Sequence, residues 1–206
     1  MILSIDHIAC SSSNLEKDIK TFISRGYKPV FKEQLVNPDN KRDLLHRFLP
    51  YHTLVLLKKA YGFDIELIDH GNVDSQDGFI KLIKEDTIEI KTNNILETSV
   101  LLKYLGFVCV NENYFKFRSI ISRQEFFVEL KYDIEQKHYK LDDKGYNCLA
   151  FIASNLDKTI NDIAKNLSNV KVYELGYLNI NGKAVNIDFI QHNNGEIIEL
   201  IEFKRI

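Results

Sequence analysis

The 206-residue sequence predicts an α+β protein built from three successive βαβββ modules, at residues 1–70, 71–140 and 141–206. Residues 65–68 and 198–201 both read Ile-Glu-Leu-Ile. Each tetrapeptide closes a segment opened by a related twelve-residue stretch, DHIACSSSNLEK from Asp6 and NCLAFIASNLDK from Asn147. These openings align without a gap and share Ala, Ser, Asn, Leu and Lys at matching places. A fainter copy of the same element order lies between them, so the period is that of a repeated supersecondary unit.

In the first module, ILSIDHIAC alternates as a half-buried strand does. Asn14 is placed to cap a helix whose Leu15, Ile19, Phe22 and Ile23 share one face, and Gly26 is a natural stop. YKPVFKEQLV reads as a strand, followed by a polar loop through residues 37–41. The strands HTLVLLKKAY and FDIELID then flank a turn at Gly62. DGFIKLIKE, residues 77–85, reads as a short connecting helix. In the middle copy the strand DTIEIKTNN ends at the cap Asn94, and a helix with Ile95, Val100, Leu101 and Leu105 runs to Gly106. FVCVNEN, YFKFRSI and EFFVELK complete it. In the third copy NCLAFIA leads to the cap Asn155 and a helix with Leu156, Ile160, Ile163 and Leu167. KVYELGYLNI, AVNIDFIQ and EIIELIEF follow, separated by turns at Asn181-Gly182 and Asn194-Gly195.

A formal charge of -2, with lysines and acids interspersed, gives no electrostatic reason to expect nucleic acid or an anionic membrane. No apolar run approaches the ~20 residues of a membrane span. The N-terminal MILSIDHIAC meets Asp6 early and lacks a basic lead-in, so a secretory signal is not expected. Cys10, Cys109 and Cys148 are odd in number with no CxxC pair, which suits a reducing cytoplasm. Nucleophile-elbow, P-loop, Rossmann and zinc-finger patterns are absent.

Asp-His-Ile opening a strand, a capped helix ending in Gly-aromatic, and a terminal Gly-x-x-x-Glu-Leu strand together resemble the vicinal oxygen chelate superfamily. That superfamily includes glyoxalase I, extradiol dioxygenases, methylmalonyl-CoA epimerase and the fosfomycin and bleomycin resistance proteins. The closing VNIDFIQHNNGEIIELIE and the opening SIDHIACSSSNLEKDIKTFISRGYKPV look most like the epimerase branch. The resemblance covers modules one and three well and module two weakly. It implies that two modules form a curved-sheet cup holding a divalent metal, and it places the ligands at His7, Glu66, Cys148 and Glu199. Cys148 stands where many members have His, and its middle-module counterpart is Thr87. His7, Glu66 and Glu199 alone still offer one imidazole and two carboxylates, adequate for Zn, Mn, Fe, Co or Ni.

Three modules leave one unpaired. Pairing one with three matches the stronger repeat, with module two flanking the cup or pairing across a homodimer. Pairing one with two would give His7, Glu66, Thr87 and Glu129. By strand parity His7 faces with Ile5 and Ala9, while Asp6 points toward the helices.

For each residue there is an ordinary structural alternative. His7 can be a satisfied core histidine, the two Glu can be sheet-end carboxylates, and Cys148 can be a small buried hydrophobe. His46, Arg47 and His52 offer positive groups for a substrate carboxylate or phosphate, or an ordinary solvated loop. His192 reads as a turn residue; His70 and His138 carry no signal. The resemblance implies a metal-dependent isomerase, epimerase or lyase acting on a small oxo acid, hydroxy acid or acyl thioester through an enolate, with Glu66 or Glu199 moving the proton. The alternative is a metal-free cup that sequesters a small molecule against Tyr173, Tyr177, Phe189 and Phe203.

Overall fold

A computed structural model describes residues 1–135, 138–167 and 170–204; the expected end of the third module at residue 206 lies outside them. Module one comprises β1 (Ile2–Ser11), α1 (Leu15–Ser24), β2 (Lys28–Val36), β3 (Tyr51–Lys58) and β4 (Ile65–Asp69). A six-residue 3-10 helix (Asp39–Leu44) stands between β2 and β3. Next comes β5 (Ile80–Lys84). Module two is β6 (Thr87–Thr92), α2 (Ile95–Tyr104), β7 (Val108–Asn111), β8 (Tyr114–Arg118) and β9 (Glu125–Tyr132). Module three is β10 (Gly145–Ala153), α3 (Leu156–Asn166), β11 (Val170–Ile180), β12 (Lys183–His192) and β13 (Ile197–Phe203).

The three helices begin for one reason repeated three times. The side-chain oxygens of Asn14, Asn94 and Asn155 accept from the backbone N–H groups of Lys17, Glu97 and Lys158 at 3.1, 3.2 and 2.8 Å. Each bond satisfies an amide that the first helical turn leaves unpaired. In α3 the expected Leu156, Ile160 and Ile163 are all buried, as is Leu167 just beyond it. In α1 Leu15 and Phe22 are buried, but Ile23, assigned to the same face, is 48% exposed. The stripe there is narrower than its apolar composition suggested.

All thirteen strands join one large curved, open sheet. β1 and β10 pair antiparallel at its centre. Each carries its own module's closing strand in parallel, β4 beside β1 and β13 beside β10. The line β2-β3-β4-β1-β10-β13-β12-β11 is therefore the expected cup of modules one and three. β1 and β10 are buried on both faces, with core packing on one and the cup on the other, so β1 is not the half-buried strand that alternation implied. Module two flanks the cup. Its own parallel pair puts Glu89 opposite Glu129, and Glu129 is exposed; the alternative set through Thr87 and Glu129 is not assembled.

Residues 80–84 form β5, not the expected connecting helix. β5 runs antiparallel to β6 and meets β10 at the Ile80–Tyr146 pair. The local apolar run fits either state; the open edge of β6 and the start of β10 decide it, because both present unpaired backbone groups. The Asn181-Gly182 turn forms as expected, with φ of 50° and 73°, the left-handed values that such a hairpin turn requires.

Candidate metal centre

The strand pairing is what gathers the site. Across β1–β4, Ala9 sits opposite Glu66; across β10–β13, Ala150 sits opposite Glu199. His7 lies two residues before Ala9 and Cys148 two before Ala150, so a pseudo-twofold relates His7 with Glu66 to Cys148 with Glu199. Ala9, the small residue opposite Glu66, lines a cavity beside the carboxylates.

His7, Glu66 and Glu199 offer ligand atoms that all lie within 4.8 Å of one another. His7 is 3% exposed, and its Nε2 stands 3.4 Å from Glu66 Oε2 and 3.4 Å from Glu199 Oε2. That nitrogen makes no hydrogen bond. The other ring nitrogen, Nδ1, lies 2.9 Å from Asp6 Oδ2. This contact reverses the expected direction of Asp6. The register of β1 against β10 shifts between Ile5 and His7, and the irregularity turns the Asp6 carboxylate toward the imidazole instead of the helices.

Burial by itself would push the His7 imidazole down, but the charge of Glu66 and the contacts with Asp6 and Glu199 override it and hold the group well above the ordinary range. Burial raises the Glu199 carboxyl, with His7 opposing. The Asp6 carboxyl sits below its usual range: burial works against this, and His7, Lys58 and Lys183 outweigh it.

A divalent metal fits these residues. A buried Nε2 that makes no hydrogen bond and stands 3.4 Å from each of two carboxylates offers a donor set of one nitrogen and two oxygens, and Asp6 on Nδ1 would fix the tautomer of His7 as a ligand. Cys148, implied as a fourth ligand, is fully buried and lines the adjoining cavity, outside the 4.8 Å group. Burial and the nearby Glu199 push its thiol well above the usual value, so it presents S–H rather than thiolate.

Two cavities meet at the carboxylates. The inner one, about 40 Å³, is lined by Lys41, His52, Cys148 and Phe189 among others. The outer one, about 160 Å³, is lined by Asp6, His7, Phe31, Lys183 and Phe203 among others. Glu66, Glu199, Ile180 and Ile187 line both. Of the expected aromatic wall, Phe189 and Phe203 face the cup, whereas Tyr177 is 69% exposed.

Sequence reasoning missed Asp6 and Lys41. The 3-10 helix between β2 and β3 buries Lys41 to 5% exposure inside the cup, although the residue stands in a stretch that reads as solvated loop. The cations that stood out nearby behave differently. Arg47 is exposed, and its backbone amide donates to Asp142. His46 Nε2 contacts Asp143 Oδ1 at 2.8 Å. Asp74 lies close enough to make His46, Asp74 and Asp143 a second ligand-like group, but Asp143 Oδ2 already accepts from Gln76 Nε2 and the Lys140 amide. That group clamps three loops together. His192 closes a buried contact with Glu196, whose carboxylate accepts from Thr98 on α2, tying module three to module two.

No family model matches the sequence, and no curated protein matches it. Among solved structures the chain is similar to glyoxalase I from Zea mays at 14% identity, covering 96% of this chain and 67% of that one, with a TM-score of 0.41. It is also similar to a glyoxalase family protein from Bacillus cereus, at 12% identity over 100% of this chain and 97% of that one, TM-score 0.29. A catechol 2,3-dioxygenase matches at 10% identity over 99% and 89%, TM-score 0.24. These likenesses are distant; the chemistry of the site follows from its own geometry.

Proposed function

We propose that the protein is a metal-dependent isomerase, epimerase or lyase of the glyoxalase type, with His7, Glu66 and Glu199 holding a divalent Zn, Mn, Fe, Co or Ni ion. One observation carries the reading: the buried His7 Nε2 has no hydrogen bond, faces two carboxylates at 3.4 Å, and has its other nitrogen fixed by Asp6. The bound metal supplies a Lewis acid for neighbouring substrate oxygens and for the negative charge of an enolate. The chain supplies the rest. The two cavities receive a small oxo acid, hydroxy acid or acyl thioester against largely apolar walls. Glu199, whose carboxyl burial raises, or Glu66 accepts and returns the substrate proton.

The epimerase-like closing hairpin supports placing the chain nearest that branch. A cytoplasmic location, a small-molecule partner and a homodimer belong to the same proposal; three free cysteines support the first. Among the described residues no helix is long and apolar enough to cross a membrane.

A second reading, a metal-free sequestering cup, is favoured by Lys41, whose ammonium offers the same carboxylates a positive charge from within the protein. Elemental analysis of tag-free protein separates the two. The expected result is stoichiometric metal in the wild type and loss of it in His7→Ala. A wild type purified without metal, and unable to take it up, supports the sequestering cup.

A further inference from the structure

Lys41 is the buried charge of the cup that the metal site leaves unexplained. Its Nζ has no hydrogen-bond or ion-pair partner among the described residues and lies over the Phe189 ring, 5.6 Å from the centroid. An ammonium in such a place loses hydration without a compensating bond. Burial accordingly draws Lys41 below the ordinary lysine range, and the attraction of Glu199 and Glu66 only partly opposes this.

A divalent cation between Glu66 and Glu199 would cancel those two negative charges. Lys41 would then face the inner cavity with one positive charge unmatched. Lys41 is the one cationic side chain among the described residues lining that cavity. His52 beside it stays neutral, pushed down to about 2 by burial and by Lys41 itself. The remaining wall is largely apolar, with Leu54, Ile68 and Phe189 on it, so an anion entering there meets a single cationic donor.

We propose that Lys41 is the carboxylate-binding residue of the cup, and that the substrate is a small carboxylate-bearing molecule whose anionic end occupies the inner cavity. This deepens the function proposed above and rests on it. Size supports the assignment: about 40 Å³ on the inner side admits a carboxylate group, a few water molecules in volume. The outer cavity, at about 160 Å³, receives the rest of the molecule. Within the proposed substrate classes, Lys41 therefore selects molecules that carry a free carboxylate.

The test uses pyruvate and its neutral isostere pyruvamide as probes, titrated calorimetrically into tag-free, metal-loaded protein. Wild type is expected to hold pyruvate at least tenfold tighter than pyruvamide. Lys41→Met is expected to erase that preference with metal content unchanged, while Lys183→Met on the outer rim retains it. No preference in the wild type, or a preference that survives Lys41→Met, overturns the proposal. If Lys41→Met does not fold, 13Cε-lysine NMR of the wild type decides. Pyruvate, and not pyruvamide, must shift the Lys41 resonance; a shift confined to Lys58 or Lys183 overturns it. Elemental analysis of the same samples keeps the two readings apart. Missing metal counts against the proposed function, whereas a lost preference in metal-replete protein counts against Lys41 alone.

Discussion

His7 Nδ1 lies 2.9 Å from the carboxylate of its own neighbour, Asp6, although adjacent residues on a regular strand project to opposite faces. The register shift between Ile5 and His7 makes the contact possible. Asp6 thereby orients the ring so that Nε2, the nitrogen without a hydrogen bond, points between Glu66 and Glu199. Asp6→Asn keeps the volume and removes the charge. It is expected to weaken metal binding by about 10–100-fold, the usual effect of losing an outer-shell partner. Competitive titration against a chromophoric chelator reads the change, and an affinity equal to wild type would show that Asp6 does not support the ligand.

Metal removal is the second prediction. His7, Glu66 and Glu199 come from β1, β4 and β13, so a metal held between them only in the folded chain would stabilise it by mass action, about 4 kcal/mol at a thousandfold excess over Kd. EDTA is expected to lower the melting temperature of wild type. Glu199→Gln, which keeps the shape but withdraws one anionic ligand, is expected to show a much smaller response. Differential scanning calorimetry with and without chelator makes the comparison.

The third prediction concerns acid. His52 and His70 stack with ring centroids 5.9 Å apart, and both are buried. Burial, with Lys41 nearby, pushes His52 down to about 2 and His70 down to about 3. In the unfolded chain both take up a proton near pH 6.5, so below that pH the unfolded state binds more protons than the folded one. Folding stability therefore falls as pH drops from about 6.5 toward 3, at up to about 1.4 kcal/mol per pH unit for each histidine. His70→Gln is expected to flatten this limb by about half. Urea titrations at pH 6.5, 5.5 and 4.5 measure the slopes, and an unchanged slope would rule His70 out as a source.

Much of this architecture is legible in the sequence because it is repeated. Three Asn caps, two Ile-Glu-Leu-Ile strands and the Asn181-Gly182 turn are local signals, and each forms where the text places it. The grouping of His7, Glu66 and Glu199 follows from the same repeat, since equivalent strand positions converge when two modules pair. What stays hidden depends on contacts between modules. Asp6 turns inward through a register shift that only the partner β10 reveals. Lys41 reads as solvated loop until the 3-10 helix folds over the cup and packs beside β11. Residues 80–84 have no decisive periodicity of their own, and the neighbouring edges of β6 and β10 make them a strand.

That last element supplies the fourth prediction. Gly78 leads into β5, and its amide donates to the Lys144 carbonyl at 2.8 Å. A Cβ added there would lie 2.1 Å from the Tyr146 carbonyl oxygen and 2.7 Å from its carbon. Those atoms belong to the backbone of β10, so no side chain can swing aside to relieve the overlap. Gly78→Ala must then push the chain off β10 and disturb the Ile80–Tyr146 pairing through which β5 reaches the cup. The expected loss is about 1–3 kcal/mol, the ordinary cost of overpacking a filled interior. Hydrogen exchange should show faster opening at β5 and at the start of β10, with α3 and β13 keeping their protection. At Gly182, where an added Cβ meets nothing within 4 Å but φ is 73°, alanine is expected to cost less, through backbone strain alone. Equal losses at the two glycines would mean that the close approach of residue 78 to β10 does not hold module two in place.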